Sequence, residues 1–229
     1  MKLVTFAEAD GPDRPGALLP SGDVVVDLSA QFPTMLALID GGPEALTSAR
    51  VALERRAVTV PLANVRLKAP LPEPRQMRDC LSFEKHLKQA REQMMRRRFG
   101  ALGPVLQSVG AGSIPKVWYE QPIYYKCNRF SVVGTDTDVV WPRYSQVMDY
   151  ELEFGAVIGR TGKNITRDKA REHIFGYCIF NDFSARDAQG REMAGSLGPA
   201  KGKDFDTGNA MGPWLVTADE ISDPYALTM

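Results

Sequence analysis

The chain has 229 residues, of which 44% are hydrophobic and 24% charged, and its 28 Lys and Arg balance its 28 Asp and Glu. This length and apolar fraction suit one large domain or a small domain followed by a larger one. Zero formal charge argues against a general affinity for nucleic acid or an anionic membrane. The sequence lacks an apolar run of the ~20 residues that a membrane span needs, and acids and prolines stand where a signal peptide needs its apolar stretch.

The cysteines indicate the compartment. There are three of them, far apart and without a CxxC pair, which argues against a disulfide framework and a zinc ribbon. We therefore expect a cytoplasmic protein.

The first seventy residues predict a small α+β accessory domain. The predicted elements are strands at 2–6 and 23–28, joined by a turn region rich in Gly, Pro and Asp, and helices at 33–40 and 43–56. A proline-rich segment at 68–74 is the predicted linker. The resulting division is a domain at 1–70 and a second domain at 71–229.

The second domain is predicted to be mainly β with one preceding helix. The helix runs from Ser82 to about Phe99, with its core face predicted at Phe83, Leu87, Ala90 and Met94. A Gly- and Ser-rich loop follows at 104–116, and a lid and a passive surface loop are both compatible with it. Strands are predicted at 117–119, 123–126, 130–133, 138–141, 150–158, 174–180 and 214–216, and a short helix at 167–172.

The most informative stretch is Asp149-Tyr150-Glu151-Leu152-Glu153-Phe154. Side chains alternate along a strand, so the three acids share one face. Glu151 and Glu153 can then turn onto one ion, which would relieve their mutual repulsion. A solvated outer face of an edge strand is the alternative.

Further polar groups follow a buried strand and lie in a late loop. Asp182 ends the apolar run Ile174–Phe180, where both a functional site and an ordinary Asn-Asp turn are compatible with the sequence. All-oxygen ligands favour Mg²⁺, Mn²⁺ or Ca²⁺ over zinc. Lys203 beside Gly202 suits close approach to an anion, although such loops are frequent on ordinary surfaces.

The two histidines differ in context. His173 directly precedes the buried strand, which favours a packing or turn role. His86 lies one turn inside the predicted helix and seven residues after Asp79, so one loop-to-helix element can deliver a carboxylate ligand and a general base.

These segments, in this order, resemble the fumarylacetoacetate hydrolase family. The matching blocks are MRDCLSFEKH, DYELEFGAVIG, HIFGYCIFNDFSARDAQ and LGPAKGKDFDT, and they cover the chain from about Arg78 to Val216. The resemblance implies an α+β protein with a mainly-β mixed β-roll catalytic domain of the fumarylacetoacetase C-terminal type, usually a homodimer.

The resemblance also implies a site and a reaction. It implies a divalent metal, Mg²⁺ first and Mn²⁺ or Ca²⁺ as alternatives, held by Asp79, Glu151, Glu153 and Asp182. His86, Lys203 and Arg186 would be catalytic, with His86 the base that activates water. Tyr125, Gln189 and Asn128 would bind a small diketo or oxo acid, although Asn128 replaces an arginine of fumarylacetoacetate hydrolase proper.

The implied reaction is hydrolysis of a C–C bond in a diketo acid such as an acylpyruvate, through an enolate that the metal stabilises, in aromatic-compound catabolism. A decarboxylase, isomerase or hydratase of the same superfamily is the alternative, since the same site serves those reactions. A binding protein with a disused site is disfavoured because the acids and Lys203 are present. The glutamate that orients the histidine in the family would lie beyond Met229, so we expect this chain alone to be a poor catalyst with exposed apolar sheet edges.

Overall fold

The computed structural model describes residues 1–108, 110 and 112–228, and the chain divides into two compact units. The first, here called the sheet unit, combines Met1–Arg75 with the chain from Asn128 onward. The second, the helical unit, is Gln76–Cys127. Within the described residues, no helix is long and apolar enough to cross a membrane.

Strands dominate the sheet unit. In chain order the strands of the whole chain are β1 Lys2–Ala7, β2 Arg14–Leu18, β3 Val24–Asp27, β4 Thr59–Pro61, β5 Arg66–Leu67, β6 Asp79–Cys80, β7 Tyr124–Tyr125, β8 Val132–Val133, β9 Met148–Asp149, β10 Leu152–Ile158, β11 Ile174–Asp182, β12 Ser184–Ala185 and β13 Asn209–Thr217. Strands β6 and β7 belong to the helical unit and the others to the sheet unit. The main sheet has the order β10-β11-β13-β1-β2-β3-β4, with β5 beside β1 and β8 beside β13. Its pairs are antiparallel apart from β8 with β13. The expected α+β class is confirmed, and the structure shows a large antiparallel sheet.

The two ends of the sheet unit meet in this sheet, because β1 pairs with both β2 and β13. The N-terminal strands bury Leu3, Val4 and Phe6 completely, and Leu215 of β13 is equally buried. The predicted domain boundary near residue 70 lies close to the end of the first segment of this unit, but that segment shares its sheet with β11 and β13. Its status as a separate domain stays a prediction.

Strand β2 was missed by sequence reasoning, which placed a turn region between the strands at 2–6 and 23–28. Its Pro15 and Gly16 are poor strand formers, so the segment carries little strand signal. Gly16 is required by packing, since a Cβ there would lie 2.6 Å from Val25 Cγ1 and 2.8 Å from Phe6 Cε1. Tight sheet packing therefore overrides the local propensity.

Helices of the sheet unit are α1 Met35–Asp40, α2 Gly42–Arg55 and α6 Arg186–Ala194. The first two confirm the predicted helices at 33–40 and 43–56, and the 3₁₀ segment Arg167–His173 confirms the short helix expected near it. Sequence reasoning missed α6, whose Gly190 and many polar residues give a weak helical pattern.

The helical unit contains α3 Glu84–Phe99, α4 Gly103–Ser108 and α5 Val117–Glu120. The predicted core face of α3 is wrong: Phe83 and Met94 are exposed, and the buried residues are Leu87 and Met95. The Met95 backbone lies against Gly103, where a Cβ would be 2.7 Å from the Met95 carbonyl carbon, and the Met95 side chain lies beside Gly112. Contacts with the segment after α3 therefore decide which face of α3 is buried.

Two further predictions for the middle of the chain are wrong. The segment 117–119 is helical rather than a strand, and α4 occupies part of the predicted loop 104–116. Residues 109 and 111 of the predicted loop, for which a lid was one interpretation, lie outside the described residues. The predicted strand at 138–141 has no regular secondary structure, while those at 123–126, 130–133, 150–158, 174–180 and 214–216 correspond to β7, β8, β10, β11 and β13.

One face of the β10–β11 pair is apolar and exposed. Leu152, Ile158 and Ile179 are 48%, 62% and 55% exposed, and Phe154 stacks on Tyr177 on the same face. The side chains of Glu153 and Phe180 lie on the opposite face of these two strands. The polar site described next is therefore on the other side of the sheet.

Candidate metal centre

Three carboxylates meet where β10 and β11 lie side by side. Glu151 lies between β9 and β10, Glu153 is the second residue of β10, and Asp182 ends β11. The backbone joins them, since the Asp182 amide donates to the Glu151 carbonyl at 3.0 Å. Each offers a carboxylate oxygen within 4.8 Å of the others. The spacing that placed Glu151 and Glu153 on one face of a strand therefore corresponds to a real cluster.

A buried lysine neutralises part of this cluster. Asp182 is fully buried and Lys203 is only 3% exposed. The Lys203 Nζ lies 2.6 Å from Asp182 Oδ2 and 2.9 Å from Glu151 Oε2. Because buried charges are costly unless they are paired, these contacts account for the burial of both groups.

The second cation comes from the first residue of α6. Arg186 donates to Asp149 Oδ2 at 3.0 Å and to Gln189 Oε1 at 3.1 Å, and it forms an ion pair with Glu151. Burial by itself would raise the pKa of Glu151, but Lys203 and Arg186 outweigh it and hold that pKa below its ordinary value. Glu151 is therefore a carboxylate at neutral pH.

The donor set of the site fits a divalent cation. Glu151, Glu153 and Asp182 bring carboxylate oxygens within 4.8 Å of one another, and Lys203 and Arg186 contact this group. The oxygen-only donor set suits a hard ion such as Mg²⁺, Mn²⁺ or Ca²⁺. The residues present thus fit the metal that the sequence predicted.

Predicted site residues of the helical unit lie on the paired strands β6 and β7 and on α3, which follows β6 in the chain. Asp79 of β6 pairs directly with Tyr125 of β7. Five residues after Asp79, α3 begins at Glu84, and its first turn carries His86, which is exposed. The arrangement of a ligand before the helix and a histidine inside it is as predicted, while the roles of Asp79, Tyr125 and His86 stay predictions.

Asn128 is engaged in local backbone contacts. Its Nδ2 donates to the Asp204 carbonyl at 3.2 Å, and its Oδ1 accepts from the Phe130 amide at 3.0 Å. Both ends of the side-chain amide are therefore used in shaping the turn before β8. Its predicted contact with substrate stays a prediction. His173 Nδ1 donates a hydrogen bond to the Arg160 carbonyl at 2.9 Å, in keeping with the turn role expected for it.

Sequence reasoning missed one contributor to this site, Glu192 of α6. Its carboxylate accepts hydrogen bonds from the three successive amides of Ala200, Lys201 and Gly202, just before Lys203. The usable signal was spacing, because Arg186, Gln189 and Glu192 recur every three residues along one helix.

Comparison with known proteins agrees with the fold. The model of the fumarylacetoacetate (FAA) hydrolase C-terminal family matches residues 78–229. The oxaloacetate tautomerase fahd2 of Xenopus laevis mitochondria is 32% identical over 99% of this chain, and the chain spans 65% of that relative's length. It thus spans about two thirds of the length of such curated relatives.

Two solved structures have the same fold. The fumarylacetoacetate hydrolase of Exiguobacterium antarcticum gives a TM-score of 0.67 at 27% identity, covering 98% of this chain and 69% of that one. The maleylpyruvate hydrolase of Sphingobium, solved in complex with a manganese(II) ion and pyruvate, gives a TM-score of 0.65 at 22% identity, covering 98% of this chain and 70% of that one. With the family model spanning residues 78–229, the chain belongs to the fumarylacetoacetate hydrolase family.

Proposed function

We propose that this protein is a divalent-metal-dependent enzyme that interconverts the keto and enol forms of a small 2-oxo acid such as oxaloacetate. The observation that carries the proposal is the cluster of Glu151, Glu153 and Asp182 with the buried ammonium of Lys203. The choice of reaction is supported by the relatives that are 31–32% identical and are named oxaloacetate tautomerases.

Each residue has a chemical task in this proposal. Glu151, Glu153 and Asp182 hold the ion, with Asp79 as the fourth ligand that the family resemblance implies. A bound Mg²⁺ or Mn²⁺ would act as a Lewis acid toward the carbonyl oxygens of the substrate. Lys203 supplies positive charge where negative charge grows on the substrate oxygen as the neighbouring carbon gives its proton to a solvent water, and a proton from solvent then completes the enol on that oxygen. Arg186 pairs with Glu151 and is itself held by Gln189, and the two side chains offer N–H donors to a substrate carboxylate. The resemblance gives Tyr125 and Asn128 a part in the same binding.

Hydrolysis of a C–C bond in a diketo acid is the second candidate. It requires a water that loses a proton while attacking a carbonyl, and His86 is the residue we propose as the base, with an ordinary pKa of ~6.5 for a histidine. Tautomerisation needs no attacking water, so the two candidates differ in their dependence on His86. The protein would act on small molecules as a homodimer in the cytoplasm, and these too are proposals.

A substrate panel tests the proposal. The chain is assayed with oxaloacetate, following the loss of enol absorbance, and with acylpyruvates, each in Mg²⁺, in Mn²⁺ and after chelation. We expect keto–enol conversion above the rate of the metal ion alone, lost on chelation and in Glu151→Ala. Glu172→Gln is the control, since Glu172 pairs with the exposed Lys169 and Arg160. Rates equal to those of the free ion for every substrate would contradict the proposal.

A further inference from the structure

Lys203 reaches the carboxylates from a loop that is held on α6. The loop turns back on itself at Ala200, whose carbonyl accepts from the amides of Lys203 at 2.8 Å and Asp204 at 2.7 Å. Gly202 lies directly on the helix, since a Cβ there would be 2.7 Å from Gln189 Cβ and 2.8 Å from Gln189 Cα. The Ala185 amide donates to the Gly202 carbonyl at 2.8 Å. The position of the ammonium therefore depends on how this loop is fixed to α6.

Glu192 provides the strongest fixing contacts. Its Oε2 accepts from the amides of Ala200 at 2.9 Å and Gly202 at 3.1 Å, and its Oε1 accepts from the amide of Lys201 at 2.5 Å. Three consecutive N–H groups converging on one carboxylate form a small anion-binding concavity, which the protein fills with its own side chain.

The protonation of Glu192 agrees with this role. Burial would raise the pKa of Glu192, but the hydrogen bonds from the three amides outweigh it and lower the pKa. The group is therefore charged at neutral pH, when its hydrogen bonds are strongest.

We propose that Glu192 is a positioning residue of the metal centre: it fixes the loop 200–203 on α6 and so holds the Lys203 ammonium between Asp182 and Glu151. The inference deepens the proposed function and rests on it for the consequence in catalysis. Glu192 itself touches the loop backbone rather than the carboxylate cluster, so its influence on the cluster passes through Lys203. A glutamine at this position satisfies fewer of the three amides, because one of its two terminal atoms is a donor.

A double-mutant cycle without metal tests the coupling. Unfolding is measured in chelator for the wild type, Glu192→Gln, Lys203→Met and the double variant. Each background gives the factor by which K203M lowers the folding equilibrium constant. If Glu192 positions Lys203, this factor is about fivefold smaller in the E192Q background than in the wild type. The control cycle uses Glu172→Gln, which we expect to add independently to K203M. Additive effects of E192Q and K203M would overturn the proposal.

A second measurement separates positioning from simple loop stability. Displacing the ammonium leaves the cluster more negative, so E192Q is expected to bind Mn²⁺ about threefold more tightly than wild type and to add nothing further in the K203M background. Coupled unfolding with unchanged Mn²⁺ affinity would mean a structural clamp only and would overturn the positioning role.

Two other outcomes are informative. The unfolding cycle can show coupling between E192Q and K203M even if the wild type does not bind Mn²⁺. That result would contradict the proposed function and would still support the placement of Lys203 by Glu192. If E192Q does not fold, Glu192→Asp takes its place under the same criteria, because it keeps the charge on a side chain one methylene shorter.

Tryptic cleavage after the exposed Lys201 reports directly on release of the loop. Cleavage about tenfold faster than in the wild type, in E192Q or E192D, would support release of the loop, and an unchanged rate would count against it.

Discussion

Replacing Lys203 by Met tests the electrostatics of the carboxylate cluster most directly. Met keeps an apolar stem of similar length and removes the ammonium, with its charge and its hydrogen bond to Asp182. At separations of 2.6 Å and 2.9 Å, each ion pair with Asp182 and Glu151 has a Coulomb energy of about 6 kcal/mol at an effective dielectric constant of about 20. Much of that attraction is offset by desolvation, and breaking such a buried pair costs about 3–5 kcal/mol.

The expected result in chelator is a large loss of stability. For a chain of this size, about 3–5 kcal/mol lowers Tm by roughly 6–20 °C. A divalent ion should act in the opposite direction, because the variant removes one positive charge from beside the carboxylates. We expect Mn²⁺ to bind K203M at least about tenfold more tightly than wild type, a difference of about 1.4 kcal/mol and a small part of the Coulomb energy.

The assay is a pair of melting curves for each protein, in chelator and in excess Mn²⁺, with calorimetric titration of the ion. Lys201→Met is the matched control, since Lys201 is exposed and lies in the same loop. We expect the free energy of unfolding of K201M to lie within about 1 kcal/mol of the wild-type value, and its affinity for Mn²⁺ to be unchanged. If K203M also melts like wild type in chelator and binds Mn²⁺ no more tightly, the reasoning from the buried ion pairs is refuted.

Three further outcomes are expected. Glu151→Ala should abolish Mn²⁺ binding in calorimetry with the fold retained by circular dichroism, and unchanged affinity would remove Glu151 from the site. His86→Ala should lower kcat for diketo-acid hydrolysis by roughly 10²–10⁴-fold at constant metal affinity. It should leave tautomerisation unchanged, and an effect below about threefold on hydrolysis would argue against a base at this position. Burial raises the pKa of the Cys178 thiol to about 12, so alkylation at pH 8 should reach Cys178 only after unfolding, which peptide mass mapping of native and denatured protein checks.

The candidate site was predictable in part because its strongest signals are local. A strand places Glu151 and Glu153 on the same face whatever the rest of the fold does, and the apolar run before Asp182 marks a buried strand. The pairing of β10 with β11, which brings the two segments together, is a long-range fact that one sequence does not contain. The resemblance to a family supplied that association before the structure did.

The wrong predictions concern features that depend on packing between segments and not on a local pattern. The core face of α3 depends on the segment after it, since the side chain of the buried Met95 lies beside Gly112 while Met94 is exposed. Strand β2 depends on the space that Gly16 leaves for Val25 and Phe6. In each case the local pattern was weak or misleading because a partner elsewhere in the chain decided the outcome.

Helix α6 combines a local spacing pattern with long-range contacts to the carboxylate cluster. A residue every three positions stays on one side of a helix, so Arg186, Gln189 and Glu192 face the same part of the molecule. Arg186 acts on Glu151 directly, Gln189 supports Arg186, and Glu192 acts on Lys203 through the loop backbone. Both cations that balance the carboxylates are thus set by one short helix, and a helix changes shape far less readily than a loop. A shift of α6 would therefore move both balancing charges together, and the site would change its affinity for a divalent ion as a unit.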